Sequence, residues 1–74
     1  MNKDRRSKIS NAIKTLYGVI DNLSSILSDE ENAFYNMPEN LQYSMRGEES
    51  EEAISIISEA IDSLQNTCDN LEDI

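Results

Sequence analysis

Histidine and tryptophan are absent from this chain, and cysteine, proline and phenylalanine occur once each. Each scarcity removes a class of chemistry. With no histidine and only Cys68, the ligand count is too low for a structural zinc site, and Cys68 has no partner for an internal disulfide. A metal site in a helical bundle wants a Glu-x-x-His pattern, which cannot be written here. Carboxylates are plentiful, but glycosidase-type or two-metal chemistry needs acids converging in a walled cleft, and these acids fall on the solvated faces of helices. The chain is read as not an enzyme, with no cofactor and no metal.

Long hydrophobic runs are also missing. Apolar residues come singly or in short runs, such as Val19-Ile20 and Ile56-Ile57, so no segment reads as membrane-spanning. The first residues, Met1 to Ile13, are basic but lack the continuous apolar stretch and small-residue cleavage site of a secretory signal. A lone cysteine fits a reducing interior, and the expected location is cytoplasmic. At 74 residues the chain is one domain, residues 1–74, and a core of that size supplies only about 3–5 kcal/mol without disulfides, metal or oligomerisation. Oligomerisation is the remaining source of help.

Basic residues are few and unevenly placed. Against 15 acids stand 6 bases, a net charge of −9. Residues 1–14 carry Lys3, Arg5, Arg6, Lys8 and Lys14 against Asp4 alone, a local +4, whereas residues 15–74 carry 14 acids against Arg46 alone, or −13. An acidic surface of this kind repels nucleic acid and suits a basic partner. Direct DNA binding is not expected.

What is abundant is helical periodicity. From Ile9 to Phe34 the apolar residues form three columns with a seven-residue repeat: Ile9, Leu16, Leu23; Ala12, Val19, Ile26, Ala33; and Ile13, Ile20, Leu27, Phe34. That broad stripe is typical of a bundle helix. A second run covers Ala53, Ile54, Ile57, Ala60, Ile61, Leu64, Cys68, Leu71 and Ile74, again at spacings of three and four. The predicted fold is all-α, an antiparallel helical hairpin with a short connecting helix. Helix one is placed at about residues 3–35, the connector at 36–47 and helix two at 48–73. A hairpin leaves part of each stripe wet, so a second copy or a higher helical-bundle oligomer is expected to cover the free edge. Gly18 lies off the stripe and reads as a tolerated surface glycine or as a point where a partner comes close, and Cys68 reads as core packing.

In the connector, Asn36 with Pro38 and Glu39 suggests a helix stop and a newly capped start. Leu41 and Met45 are placed to cover the hairpin end with Met37, Ser44 is a second candidate cap, and Gly47 offers a tight bend into helix two. The string Pro38-Glu39-Asn40-Leu41-Gln42, then Ser44, Arg46-Gly47-Glu48, Ala53-Ile54 and Ala60-Ile61, resembles a signature of small acidic helical proteins from Firmicutes and their phages and prophages. The resemblance covers roughly residues 34–64 and implies a phage or prophage setting in a bacterial host cell. It implies no chemistry.

Three uses compete. The first is a non-catalytic binding protein that oligomerises through amphipathic helices and inhibits or sequesters a basic host protein through acids such as Glu48, Glu49, Glu51 and Glu52, in the manner of a nucleic-acid mimic. The second is an oligomeric sponge that binds a nucleotide signal between subunits, using Arg5, Arg6, Lys14, Tyr17, Tyr43 and Arg46. The third is a structural phage accessory protein. The basic arm is also expected to pair with Asp69, Glu72 and Asp73, either within the hairpin or across subunits.

Overall fold

Alternating spacings of four and three place every residue of one narrow seam on the same side of a helix. The computed structural model describes residues 1–74 and contains three helices: α1 (Lys3–Tyr35), α2 (Glu39–Gln42) and α3 (Met45–Glu72). On α1 the half-buried or buried seam is Ile9, Ile13, Leu16, Ile20, Leu23, Leu27, Glu30 and Phe34. On α3 it is Gly47, Ser50, Ile54, Ile57, Ile61, Leu64, Cys68 and Leu71. Two of the three apolar columns of α1 thus face inward. The third, Ala12, Val19, Ile26 and Ala33, is exposed.

Contacts far apart in the chain make the hairpin antiparallel. Tyr17 near the start of α1 meets Glu72 at the end of α3, and Glu30 late in α1 meets Ser50 early in α3. The rod measures 58 × 15 × 12 Å, with a radius of gyration of 17.0 Å. A compact domain of this length would have a radius of about 11 Å. Of 63 backbone hydrogen bonds, 54 lie within helices, so the apolar seam, and not backbone bonding, joins one helix to the other.

The seam contains one polar pair. Ser50, 5% exposed, donates its hydroxyl to the Glu30 carboxylate at 2.7 Å. Placing an acid there is tolerable because that hydroxyl meets it, as buried polar groups require.

The connector differs from its sequence reading in four particulars. Asn36 closes α1 and does not cap α2: it holds helical dihedrals and its N–H bonds to the carbonyl of Asn32. α3 begins at Met45, three residues before the expected Glu48, because Ser44 is extended and its hydroxyl accepts from the Gly47 N–H. With α3 starting there, Met45 is 76% exposed and does not cover the hairpin end, whereas Leu41, 38% exposed, lines a recess at that end with Met37 and Pro38. Gln42 adds a polar tie that the sequence did not suggest, its side-chain amide donating to the carbonyls of Phe34 at 3.3 Å, in the last turn of α1, and of Met37 at 3.2 Å, just beyond it.

Gly47 is the fourth. No glycine here has positive φ, so Gly47 supplies no bend. It supplies room: a Cβ would lie 2.6 Å from the Leu41 carbonyl oxygen and closer still to that of Gln42. At Gly18, by contrast, nothing lies within 4 Å.

Gly47→Ala is expected to destabilise by about 1–3 kcal/mol through forced backbone movement, and Gly18→Ala to stabilise by about 1 kcal/mol. Urea unfolding followed by circular dichroism measures both, and equal effects would contradict the geometry. Ser50→Ala, which strips the Glu30 carboxylate of its donor, should cost about 1–2 kcal/mol. The joint change Ser50→Ala with Glu30→Leu should recover that loss, since an apolar pair removes the need for a donor.

Candidate functional site

The two ends of the rod have different chemistry because the hairpin brings together charges that are distant in sequence. At the connector end, the last turns of α1 meet the first turns of α3. Residues 29–52 hold Asp29, Glu30, Glu31, Glu39, Glu48, Glu49, Glu51 and Glu52 against Arg46 alone, a net −7. Glu48, Glu49, Glu51 and Glu52 are all exposed. α3 tolerates them at its start because acids there meet the positive end of the helix dipole. The single ion pair in the molecule is Lys8 with Asp4, 3.3 Å apart and one turn along α1, so no base neutralises the acidic end.

The open end carries the basic arm. Asn2 caps α1 by accepting from the Arg5 N–H at 2.9 Å, and the Arg6 side chain donates to the Met1 carbonyl at 3.3 Å. The expected pairing of the arm with Asp69, Glu72 and Asp73 is not made within the hairpin. Glu72 is engaged elsewhere: the Tyr17 hydroxyl donates to it at 3.0 Å. Gln65 donates to Tyr17 at 3.4 Å and to Asp69 at 3.1 Å. For Tyr17 the Gln65 bond acts to lower the pKa, but the Glu72 bond, burial and the nearby charges raise it above the ordinary value.

The six residues considered for a nucleotide are divided between these ends. Arg6 joins Ile9, Ser10, Ile13, Leu71, Glu72 and Ile74 around an open recess at one end. Arg46 joins Ala33, Asn36, Met37, Pro38 and Leu41 around another. Tyr43 is 79% exposed, Arg5 and Lys14 are exposed, and Tyr17 is half-buried. No recess within one copy gathers them. Nor does any group of three His, Cys, Asp or Glu side chains come close enough to hold a metal ion, and no helix is long and apolar enough to cross a membrane.

The two flanks of the rod also differ, and sequence reasoning did not separate them. One flank carries Tyr17, Gln65 and Glu72, together with the recess lined by Tyr35, Glu51, Ser55, Ser58 and Glu59. The opposite flank carries Ala33 and Arg46. Residues seven apart repeat the same face, so this flank continues through Ile26, Val19 and Ala12 on α1 and through Ala53, Ala60 and Thr67 on α3. The signal lay in side-chain size: the inward columns of α1 are bulkier than Ala12, Val19, Ile26 and Ala33. Compared with protein-family models, curated proteins and solved structures, the chain matches none.

Cys68 is fully buried in the seam beside the Tyr17 cluster. Burial pushes its thiol pKa up, and the charges of Glu72 and Asp69 push it further in the same direction. The unfolded thiol ionises first, near pH 8.5. The stabilisation from keeping it neutral is complete below that value and is lost as pH rises toward and through the folded pKa. Alkylation of the native protein by iodoacetamide at about pH 8.5 should be slow and should accelerate in step with unfolding by urea. Rapid labelling without unfolding would show that the thiol is accessible.

Proposed function

We propose that this chain is a non-catalytic helical binding module that self-associates and presents its acidic connector end to a basic surface of another protein. The observation that carries the reading is the concentration of eight acids against one base in residues 29–52, all but Glu30 and Glu31 exposed at one tip, and none of them in an ion pair. A structural role alone would not call for it. Like charges packed at one end of a rod oppose folding, and an opposite charge on a partner relieves that repulsion. The resemblance read over residues 34–64 to small acidic helical proteins of Firmicutes and their phages and prophages points to a bacterial host cell as the setting, and inhibition or sequestration of a host factor is the outcome proposed for docking through the acidic tip.

Electrostatic docking of this kind is steered by fields that salt screens within about 8–10 Å. Capture of a basic host protein from bacterial lysate should therefore be strong at low salt and weaken about tenfold or more at high salt. Replacing Glu48, Glu49, Glu51 and Glu52 together by Gln should abolish it while leaving the helical circular dichroism intact. Capture indifferent both to salt and to the four Gln substitutions would overturn the reading and leave the acids a solubilising role.

A further inference from the structure

We propose that the flank of Ala12, Val19, Ile26 and Ala33 with Ala53 and Ala60 is the face on which a second copy packs, and that the two hairpins lie antiparallel to one another. The proposal rests on the self-association in the reading above and specifies its surface and its direction. Four observations carry it.

The first is area. The single hairpin exposes 5523 Å², whereas a folded monomer of 8.4 kDa exposes about 4,600 Å². The excess of about 900 Å² is close to the ~800 Å² per partner that a standard interface buries. The second is apolarity: Val19 is 41% exposed, Ile26 50% and Ile56, in the α3 column beside the same flank, 59%.

The third is the absence of charge along that flank. Between Lys8 and Asp29 of α1, its charged residues Lys14 and Asp21 belong to other columns, and beyond Glu49 the acids of α3 also lie off the flank. The fourth is complementarity at its ends. Arg5 lies one heptad before Ala12, and Lys8 one turn before it; Asp29 and Glu49 lie one turn before Ala33 and Ala53, and with Arg46, one heptad before Ala53, they leave that end of the flank at −1 against +2 for Arg5 and Lys8. An antiparallel pair sets Arg5 and Lys8 of each copy against Asp29 and Glu49 of the other. A parallel pair would set bases on bases and the two −7 ends on each other.

Light scattering after size exclusion, on the full chain from about 1 to 100 µM, tests the proposal. The expected mass is twice 8.4 kDa. Val19→Glu with Ile26→Glu should give single-chain mass with helical circular dichroism retained, because both side chains are exposed within one hairpin. Ser24→Glu with Ser58→Glu, on the opposite flank, should leave the dimer intact. For direction, Arg5→Glu with Lys8→Glu should raise the dimer Kd at least about tenfold, and adding the complementary Asp29→Lys, Glu49→Lys variant should restore pairing as a heterodimer.

Single-chain mass for the unaltered protein would refute self-association itself, even if Val19→Glu then weakened binding to vesicles or to a foreign protein. A trimer or tetramer would refute the two-fold pairing. A dimer insensitive to Val19→Glu with Ile26→Glu would refute the face, and one insensitive to Arg5→Glu with Lys8→Glu the direction. The capture of a basic host protein is read separately, through Gln substitution of Glu48, Glu51 and Glu52 alone, which lie off the flank, so failure of the dimer and failure of the capture are told apart.

Discussion

A seam two columns wide governs this molecule. Each long helix offers more apolar surface than one antiparallel neighbour can cover, and the hairpin closes over the bulkiest part. Only Ile20 and Cys68 among the hydrophobic residues are buried to core levels, and the rest of the seam is covered on one side and wet on the other. Burying a Val or Ile completely is worth about 1.5–3 kcal/mol, so completing the burial of a half-exposed one gains about 1 kcal/mol. An exposed ion pair contributes a few tenths. The apolar flank therefore supplies the drive for association, and the charges at its ends select the direction.

The same narrowness explains the polar pair and the connector. In a seam of equivalent aliphatic residues, sliding α3 by one heptad against α1 would cost little. Glu30 and Ser50 make such a slip expensive, because either one alone in the seam lacks its partner. Gly47 and Gln42 then fix the connector end. The glycine admits the α2 backbone against α3, and the amide of Gln42 ties α2 to the Phe34 carbonyl in the last turn of α1 and to that of Met37 just beyond it. Overlong flexible linkage would have left the phase of α3 free, and with it the position of every acid in its first turns.

Much of the architecture could be read from spacing. The long periodic runs mark α1 and α3, since three and four residue intervals sustained over several turns have no competing strand interpretation. The choice of inward columns could not be read so directly, because Val19 and Ile26 are as apolar as Ile13 and Ile20. Their burial depends on which neighbour is present. The connector misled for a different reason: Asn36 and Ser44 are both good caps in isolation, and only the carbonyls waiting at the end of α1 decide which one serves. Of the acidic end, Glu48 to Glu52 was visible as a run, whereas Asp29, Glu30 and Glu31 join it only through the fold.

These features place two demands on one surface charge. A chain with a net −9 resists pairing with its own copy, yet its bases are gathered in the first 14 residues and its strongest acidity in residues 29–52. Segregation of this kind turns a uniform repulsion into a directional preference, since one orientation brings unlike ends together. It does not exhaust the acids. A net +4 in residues 1–14 facing a net −7 in residues 29–52 leaves the tip acidic after pairing, and Glu48, Glu51 and Glu52 point away from the apolar flank by their place in the heptad. Self-association and an acidic binding tip are therefore compatible in the same molecule, with different columns of α3 assigned to each.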